Sequence, residues 1–187
     1  MIAGVDEAGR GALAGPVVAA SVILTKPLSG LNDSKQLSKK KRLALFLEIT
    51  RECIWSWATA SPSEIERLNI RGATLLAMRR SVLGLSCTPD QVLIDGRDSI
   101  ELPMKCQAII GGDASVSEIM AASIIAKCMR DRLMECYHHS HPEYGFLNHK
   151  GYGTKLHLDA MRLHGLIMDK HRLTYKPCRD LLAVKQT

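Results

Sequence analysis

Residues 2–24, IAGVDEAGRGALAGPVVAASVIL, predict two buried β-strands joined by a glycine-rich turn. Apolar residues fill 2–5 and 17–24, and the glycines and proline between them are typical of a tight connection. The first apolar run ends in two adjacent acids, Asp6 and Glu7, although β-strands disfavour both residue types. A pair of acids in this place indicates a role beyond folding.

The same arrangement recurs further along the chain. The apolar runs 91–94 and 106–110 are followed by acids, Asp95 and Asp113. Ligand sites in α/β sheets lie beyond the carboxyl ends of the strands, so acids that are distant in sequence can converge there. Taken singly, an Asp after a strand is more often a turn former or a helix cap. The conjunction predicts one shared site with four members: Asp6, Glu7, Asp95 and Asp113.

Carboxylates gathered in this way need compensating positive charge. Two of them about 4 Å apart repel by roughly 4 kcal/mol at an effective dielectric constant of about 20. Cations or protons must offset that repulsion, and hard oxygen ligands suit Mg²⁺ or Mn²⁺. Two such ions can activate a water and stabilise the leaving oxygen in phosphodiester cleavage. The acids therefore favour a metal-dependent phosphodiesterase.

Outside these strands the hydrophobic pattern alternates between helix and strand, which is typical of an α/β fold. Ser38 is expected to cap a helix that runs to about Glu52, and residues 53–60 are expected to form a strand. Two shorter helices are expected late in the chain, over residues 155–164 and 177–185.

Two four-residue segments have the pattern of a capping box, a serine followed three residues later by a glutamate. Ser61-Pro62-Ser63-Glu64 also has a proline at the first helical position and predicts a helix to about Leu83, with a break near Gly72. Ser115-Val116-Ser117-Glu118 predicts a second long helix, to about Tyr137.

Size and charge indicate a single domain with an anionic partner. The chain has 187 residues, of which 46% are hydrophobic and 24% charged, as in ordinary globular domains. We expect one domain over residues 1–187, with a catalytic α/β core over about 1–138 and a basic helical extension over about 139–187. The net charge of +6 favours nucleic acid as the partner. Eight bases and four acids place +4 of that charge in residues 139–187.

Cysteine usage and hydropathy bear on location. The six cysteines form no C-x-x-C pair, and we expect reduced thiols in the cytoplasm. The chain opens directly on the first predicted strand, without the pattern of a signal peptide. No apolar run approaches the roughly 20 residues of a membrane helix. We therefore expect no membrane insertion.

Six short motifs follow one another along nearly the whole chain. They are Val5-Asp6-Glu7-Ala8-Gly9-Arg10-Gly11 with Pro16, Asn32-Asp33-Ser34-Lys35, Leu93-Ile94-Asp95-Gly96, Gly112-Asp113, Ala121-Ala122-Ser123-Ile124-Ile125-Ala126-Lys127 and His149-Lys150-Gly151-Tyr152-Gly153-Thr154. Together, in this order, they resemble bacterial ribonuclease HII, the type 2 ribonuclease H family. Each motif alone is weakly specific, whereas six in order are very specific. One departure is Gly153, where some relatives have proline.

The resemblance implies a fold and an activity. The fold would be ribonuclease H-like, a central mixed sheet flanked by helices, with extra C-terminal helices that help to hold the duplex. The activity would be endonucleolytic hydrolysis of the RNA strand of RNA–DNA hybrids and incision at single ribonucleotides embedded in duplex DNA, as in ribonucleotide removal during replication and repair. Two divalent ions, Mn²⁺ or Mg²⁺, would be bound together with the substrate. We expect the protein to act as a monomer.

The resemblance also assigns the residues of the site. The metal-binding catalytic carboxylates would be Asp6, Glu7, Asp95 and Asp113. Gly9, Arg10 and Gly11 match the element that contacts the ribose 2′-hydroxyl, the group that distinguishes RNA from DNA. Glycines allow the backbone to approach that group without an intervening Cβ.

Four further residues are expected to contact substrate. Tyr152 matches the tyrosine at the junction between ribonucleotide and deoxyribonucleotide, where its ring would pack on the deoxyribose; a core tyrosine is the alternative. Lys35 and Lys127 are expected to hold phosphates, with a solvated side chain as the alternative for each. Ser123 belongs to the same motif as Lys127 and is also expected at the substrate.

Two other interpretations of the chain stay open. A noncatalytic nucleic-acid binding module would use the basic segment 139–187 alone and would show no turnover that depends on Mg²⁺ or Mn²⁺. A nuclease of the same superfold that acts on DNA junctions would offer Arg10 and Tyr152 no 2′-hydroxyl to contact.

The histidines receive no role from the sequence. His138, His139 and His141 lack a cysteine partner at zinc-finger spacing. A second set repeats every seven residues, but Gly165 interrupts any continuous helix; its members are His157, His164 and His171.

Overall fold

The computed structural model describes residues 1–32, 34 and 36–184, the last of these by its backbone alone. In that part of the chain one sheet contains five strands, and its order is β3-β2-β1-β4-β5. β2 pairs antiparallel with β1 and β3, whereas β4 pairs parallel with β1 and β5. The strands are β1 Ile2–Ala8, β2 Val17–Ile23, β3 Ile54–Ala60, β4 Gln91–Asp95 and β5 Lys105–Ile109.

Helices cover both faces of this sheet. The helices are α1 Lys39–Glu52, α2 Pro62–Leu83, α3 Ser117–Ser140, α4 Phe146–His149, α5 Lys155–His164 and α6 Lys176–Val184. One buried cluster lies between the sheet and α2, and a second lies between the sheet, α1 and α3. The predicted α/β fold with a central mixed sheet and flanking helices is confirmed. No helix of the described residues is long and apolar enough to cross a membrane.

Strand β1 is central, and α3 packs directly on it. A Cβ on Gly4 would lie 2.1 Å from the carbonyl carbon of Glu118, so glycine permits this close approach. β1 extends through Asp6 and Glu7 to Ala8, beyond the predicted apolar run. The ladder with β2 continues over these acids, which shows that pairing outweighs their low strand propensity.

Only one of the two predicted capping boxes forms. At the start of α2, Ser61 Oγ accepts from the Glu64 N–H at 3.2 Å, and Glu64 Oε2 accepts from the Ser61 N–H at 2.9 Å. The second prediction was wrong, because α3 has Val116 at its N-cap without a side-chain hydrogen bond. Ser115 instead donates to the Gly111 carbonyl of the preceding 3₁₀ turn at 3.0 Å.

The break in α2 lies at Asn69, three residues before the predicted position. Asn69 has φ 57°, and its Oδ1 accepts from the Gly72 N–H at 3.1 Å. The Asn69 side chain caps the helical segment that follows, which explains the shift.

The C-terminal segment packs against the glycine-rich turn between β1 and β2. A third buried cluster joins Leu13 and Ala14 of that turn to Phe146, Met161 and Cys178. The segment therefore helps to shape the end of β1, where the predicted site lies. α5 ends at His164, before Gly165, as the sequence predicts.

Candidate active site

A cleft of about 360 Å³ opens beside the ends of β1 and β4. Asp6, Glu7 and Asp95 line it, because parallel neighbouring strands present their carboxyl ends at one sheet edge. Other lining residues are Gly9, Arg10, Gly11, Ser34, Lys127 and Tyr152. The cleft therefore brings together residues from five of the six motifs of the resemblance, and one of these five contributes Ser34 alone.

Asp6 is the most buried carboxyl of the cleft, with 4% of its surface exposed. Burial raises the pKa of Asp6 well above its usual value, and the nearby charges of Glu7 and Asp95 raise it further. Hydrogen bonds from the Glu7 N–H, at 2.7 Å, and from Ser123 partly offset this rise. A buried carboxylate beside two others attracts a cation.

Glu7 shares this environment. Burial raises its pKa, and the Arg10 guanidinium partly opposes the rise. Arg10 Nη1 lies 3.3 Å from Glu7 Oε1 in a half-exposed ion pair. The arginine of this pair is half exposed, whereas the glutamate is mostly buried.

Asp95 and Asp113 meet at the same sheet edge. The Asp113 N–H donates to Asp95 Oδ1 at 3.3 Å, but the Asp113 side chain does not line the described part of the cleft. Within residues 1–32, 34 and 36–184, no three His, Cys, Asp or Glu side chains stand in an arrangement that could bind a metal ion. The structure thus brings Asp6, Glu7 and Asp95 to one cleft and Asp113 next to Asp95, and the described residues do not form a complete coordination shell.

The other predicted substrate contacts occupy three different settings. Ser123 is buried, with its Oγ 2.7 Å from Ser34 Oγ, and it hydrogen-bonds Asp6, so it supports that carboxyl. Lys127 lines the cleft, but its Nζ donates to Asp131 Oδ1 at 2.7 Å. Lys35 lies outside the described residues.

Tyr152 lies at the edge of the cleft with 40% of its surface exposed. A Cβ on Gly11 would lie 4.0 Å from Cε1 of the tyrosine ring, so the ring faces the glycine-rich segment. This exposure excludes the alternative of a core tyrosine. The two elements that the resemblance assigns to ribonucleotide recognition therefore adjoin each other.

Comparison with known proteins identifies the family. The family model for Ribonuclease HII matches residues 3–178, nearly the whole chain. The chain belongs to the ribonuclease HII family. A relative named Ribonuclease HII 1, from Methylibium petroleiphilum (strain ATCC BAA-1232 / LMG 22953 / PM1), is 57% identical over 186 residues, covering 98% of this chain and 93% of the relative.

Solved structures agree on the fold. The ribonuclease H2 from Pyrococcus horikoshii OT3 has a TM-score of 0.81 at 23% identity, covering 100% of this chain and 99% of that chain. The structure of Bst-RNase HIII in complex with Mn²⁺ has a TM-score of 0.77 at 20% identity, covering 98% and 69%.

Ribonuclease HII proteins are hydrolytic nucleases that act on the RNA of RNA–DNA hybrids, so this chain is an enzyme. The interpretation as a noncatalytic binding module was therefore wrong. The interpretation as a DNA-junction nuclease was wrong for the same reason.

Two buried arginines, Arg130 and Arg172, hold the backbone beside the cleft, and the sequence analysis did not identify them. Arg172 donates to the carbonyls of Gly9 and Arg10, at 2.7 Å each. Arg130 lies on α3 seven residues after the buried Ser123 and four before the buried Met134. A charged residue at such a core position is a signal that could have found Arg130. No comparable signal marks Arg172.

Three buried histidines, His149, His157 and His171, hold the segment that contains Tyr152. His157 Nδ1 donates to the Tyr152 carbonyl at 3.0 Å, and His157 Nε2 lies 3.1 Å from His171 Nε2. His171 Nδ1 accepts from the Ile167 N–H at 2.9 Å, so its Nε2–H is the donor to His157. The His149 ring stacks on His157 at 4.5 Å between centroids. All the side-chain hydrogen bonds of these three histidines are made by neutral imidazoles.

This histidine cluster predicts a loss of stability in acid. Burial lowers the pKa of His157 and of His171 to about 4. As the pH falls from the ordinary histidine pKa toward about 4, the unfolded chain binds protons that the folded chain refuses. Each histidine should then remove up to about 1.4 kcal/mol of unfolding free energy per pH unit.

Urea unfolding between about pH 6.5 and pH 4.5 measures this slope. His157→Asn should reduce the slope of unfolding free energy against pH, because it removes one of the two histidines whose pKa is lowered to about 4 in the folded protein. His139→Asn, on the exposed end of α3, is the control and should leave the slope unchanged. Equal slopes for wild type and His157→Asn would contradict the prediction.

Proposed function

We propose that this protein incises duplex DNA at single embedded ribonucleotides, as well as the RNA strand of hybrids, by a two-metal-ion mechanism. One observation carries the proposal. A single cleft is lined by the carboxylates Asp6, Glu7 and Asp95, by the segment Gly9–Gly11 and by Tyr152. Carboxylates serve phosphodiester hydrolysis, and the other two elements suit recognition of one ribonucleotide followed by a deoxyribonucleotide.

Divalent ions fit the chemistry of the acids. The donors are all hard oxygens, and Asp6 is buried beside Glu7 and Asp95, whose charges together with burial raise its pKa. Mn²⁺ is bound in the structure of Bst-RNase HIII, which shares the fold. Ions held by the four acids would supply an activated water and stabilise the leaving oxygen. The assigned ligands are Asp6, Glu7, Asp95 and Asp113.

The chain's own groups orient the substrate around these acids. Ser123 and the Glu7 N–H fix the position of the Asp6 carboxyl. Gly11 leaves the cleft open beside the Tyr152 ring, so a ribose can approach the backbone while the ring packs on the next sugar. A 2′-hydroxyl on that next sugar would crowd the ring.

Cleavage of a DNA duplex with one ribonucleotide, with and without Mn²⁺, tests the proposal. Incision should occur beside the ribonucleotide and only with the metal ion, while the same duplex made entirely of DNA stays intact. Equal cleavage of the all-DNA duplex would contradict the proposed recognition of the ribonucleotide. Cleavage of a uniform RNA–DNA hybrid alone would remove the single-ribonucleotide activity.

We also propose a division of labour along the chain. Residues 1–138 would form the catalytic core and 139–187 the extension that holds the duplex, in a protein that acts as a monomer in the cytoplasm. All six cysteines are free thiols, which supports a reducing compartment.

The structure reduces the charge that residues 139–187 offer to a duplex. Ion pairs join Lys150 to Glu135 at 2.9 Å and Arg162 to Asp159 at 2.9 Å. Lys170 pairs with Asp169, and Arg172 is buried. The described bases of this segment that stay exposed outside these pairs are Lys155, Lys176 and Arg179.

Removal of two of these charges should weaken the salt dependence of binding. If Lys176 and Arg179 contact phosphates, changing both to glutamine should flatten the slope of log K against log salt by up to about 1.8. Substitution is preferable to deletion of α6, because Cys178 lies in the buried core. Arg162→Gln is the control. An unchanged slope for the double variant would mean that Lys176 and Arg179 are solvated and do not contact phosphates.

A further inference from the structure

Arg130 contacts both recognition elements of the cleft. Its Nη1 donates to the Lys150 carbonyl at 2.9 Å, two residues before Tyr152. Its guanidinium carbon lies 5.4 Å from the centroid of the Tyr152 ring, in a cation–π contact. The other side of the same guanidinium faces the turn after β1, where Nη2 donates to Ala14 O at 3.2 Å and Nε to Pro16 O at 3.3 Å.

Gly9 lies directly against Arg130. A Cβ at this position would be 1.9 Å from Arg130 Nε, and Gly9 has φ 95°. A side chain at Gly9 would therefore displace the guanidinium and strain the backbone. The glycine-rich segment and the tyrosine are thus spaced by one rigid, buried side chain, which has only 1% of its surface exposed.

Arg172 holds the same turn, and within the described residues its hydrogen bonds go to that turn and to Tyr175 rather than to the tyrosine segment. Its donors bind Gly9 O and Arg10 O at 2.7 Å and Gly15 O at 3.0 Å. In a trans peptide the C=O and N–H point in opposite directions, so the N–H groups of Arg10 and Gly11 point away from Arg172. Arg172 therefore provides a matched control for Arg130 within the described residues.

Neither arginine forms an ion pair with a carboxylate in the described part of the chain; their acceptors there are carbonyls and the Tyr175 hydroxyl. Burial lowers the pKa of Arg130 to about 10 and also lowers the pKa of Arg172. The Arg130 guanidinium thus stays charged at neutral pH, although burying an unpaired charge is costly. A lysine ammonium could not donate to three separated carbonyls in this planar arrangement.

We propose that Arg130 is a positioning residue that determines the preference for a single ribonucleotide in DNA. It holds the Tyr152 ring at a fixed distance from the segment Gly9–Gly11, so that the ribose and the following deoxyribose fit the two elements at once. This inference rests on the proposed function and adds the residue that couples its two recognition elements.

A double-mutant cycle tests the coupling. The proteins are wild type, Arg130→Lys, Tyr152→Ala and the double variant, and the measurement is kcat/KM on the single-ribonucleotide duplex and on a uniform RNA–DNA hybrid. Arg130→Lys should lower kcat/KM on the first duplex more than on the hybrid. In the Tyr152→Ala background the same change should cost about 10-fold less. The corresponding cycle with Arg172→Lys should be additive within about 2-fold.

The outcomes separate the two proposals. If wild type does not incise the single-ribonucleotide duplex, the proposed function fails. If wild type incises it but the effects of Arg130→Lys and Tyr152→Ala multiply independently, only the role of Arg130 fails. An equal loss of kcat/KM on both substrates would also contradict the proposal, because Arg130 would then have only a structural role.

A second measurement applies if Arg130→Lys does not fold. The Arg130 Nε–H signal in ¹⁵N NMR should exchange slowly with solvent, and it should shift in Tyr152→Ala, which removes the ring current from an exposed position. An unchanged signal would overturn the proposal, because the contact that carries it would be absent in solution.

Discussion

Replacement of Asp6 by asparagine should lower turnover by at least about 10³-fold while the protein stays folded. Asparagine keeps the size of the side chain and the Oδ1 that accepts from the Glu7 N–H. It removes one of three mutually repelling carboxylates from a buried position. The free energy of unfolding of the metal-free variant should therefore rise by about 1 kcal/mol, and its melting temperature should rise with it.

Single-turnover cleavage with saturating Mn²⁺, and thermal melting in the presence of a chelator, measure the two effects. Asp180→Asn, on the exposed face of α6, is the matched control and should change neither quantity. Near-normal turnover of Asp6→Asn would remove Asp6 from the catalytic acids. A large drop in its melting temperature would instead indicate a structural role.

Removal of the Tyr152 ring should have the second-largest effect. Tyr152→Ala should lower kcat/KM on the single-ribonucleotide duplex by about 10²-fold, because a misplaced scissile phosphate loses alignment with the catalytic groups. The effect on a uniform hybrid should be smaller, since neighbouring ribonucleotides offer further 2′-hydroxyls. The melting temperature should change little, because the ring is 40% exposed.

Kinetics on the two substrates, with melting as a folding control, decide this prediction. Leu163→Ala truncates another exposed side chain, on α5 and outside the cleft, and should leave both substrates unaffected. The tyrosine has no recognition role if its removal leaves kcat/KM on the single-ribonucleotide duplex unchanged.

Local signals in the sequence account for most of the elements and for the acids. The spacing of apolar residues predicts the strands and helices. The capping box at Ser61 forms because both of its partners lie within four residues of each other. Where a residue had a competing local partner, the predicted capping box did not form or the predicted break in the helix was displaced. Ser115 donates to a preceding turn, and Asn69 caps a new helical segment in place of a break at Gly72.

The tertiary structure decided how the predicted residues are used. Ser123 supports Asp6, Lys150 pairs with Glu135 from another segment, and Arg172 is buried against the turn between β1 and β2. Ion pairs depend on which side chains the fold places within about 4 Å, and composition does not contain that information. Net charge therefore predicts an anionic partner but not the residues that contact it.

The sequence by itself determined the α/β fold, the family through six ordered motifs, and the acids at the ends of β1 and β4. Only the tertiary structure disclosed the contacts of Arg130, of Arg172 and of the histidine cluster beside the recognition elements. Their partners are backbone carbonyls and rings brought in from distant segments. A carbonyl is present at every residue and leaves no mark in a sequence, so such contacts become visible only when the chain has folded.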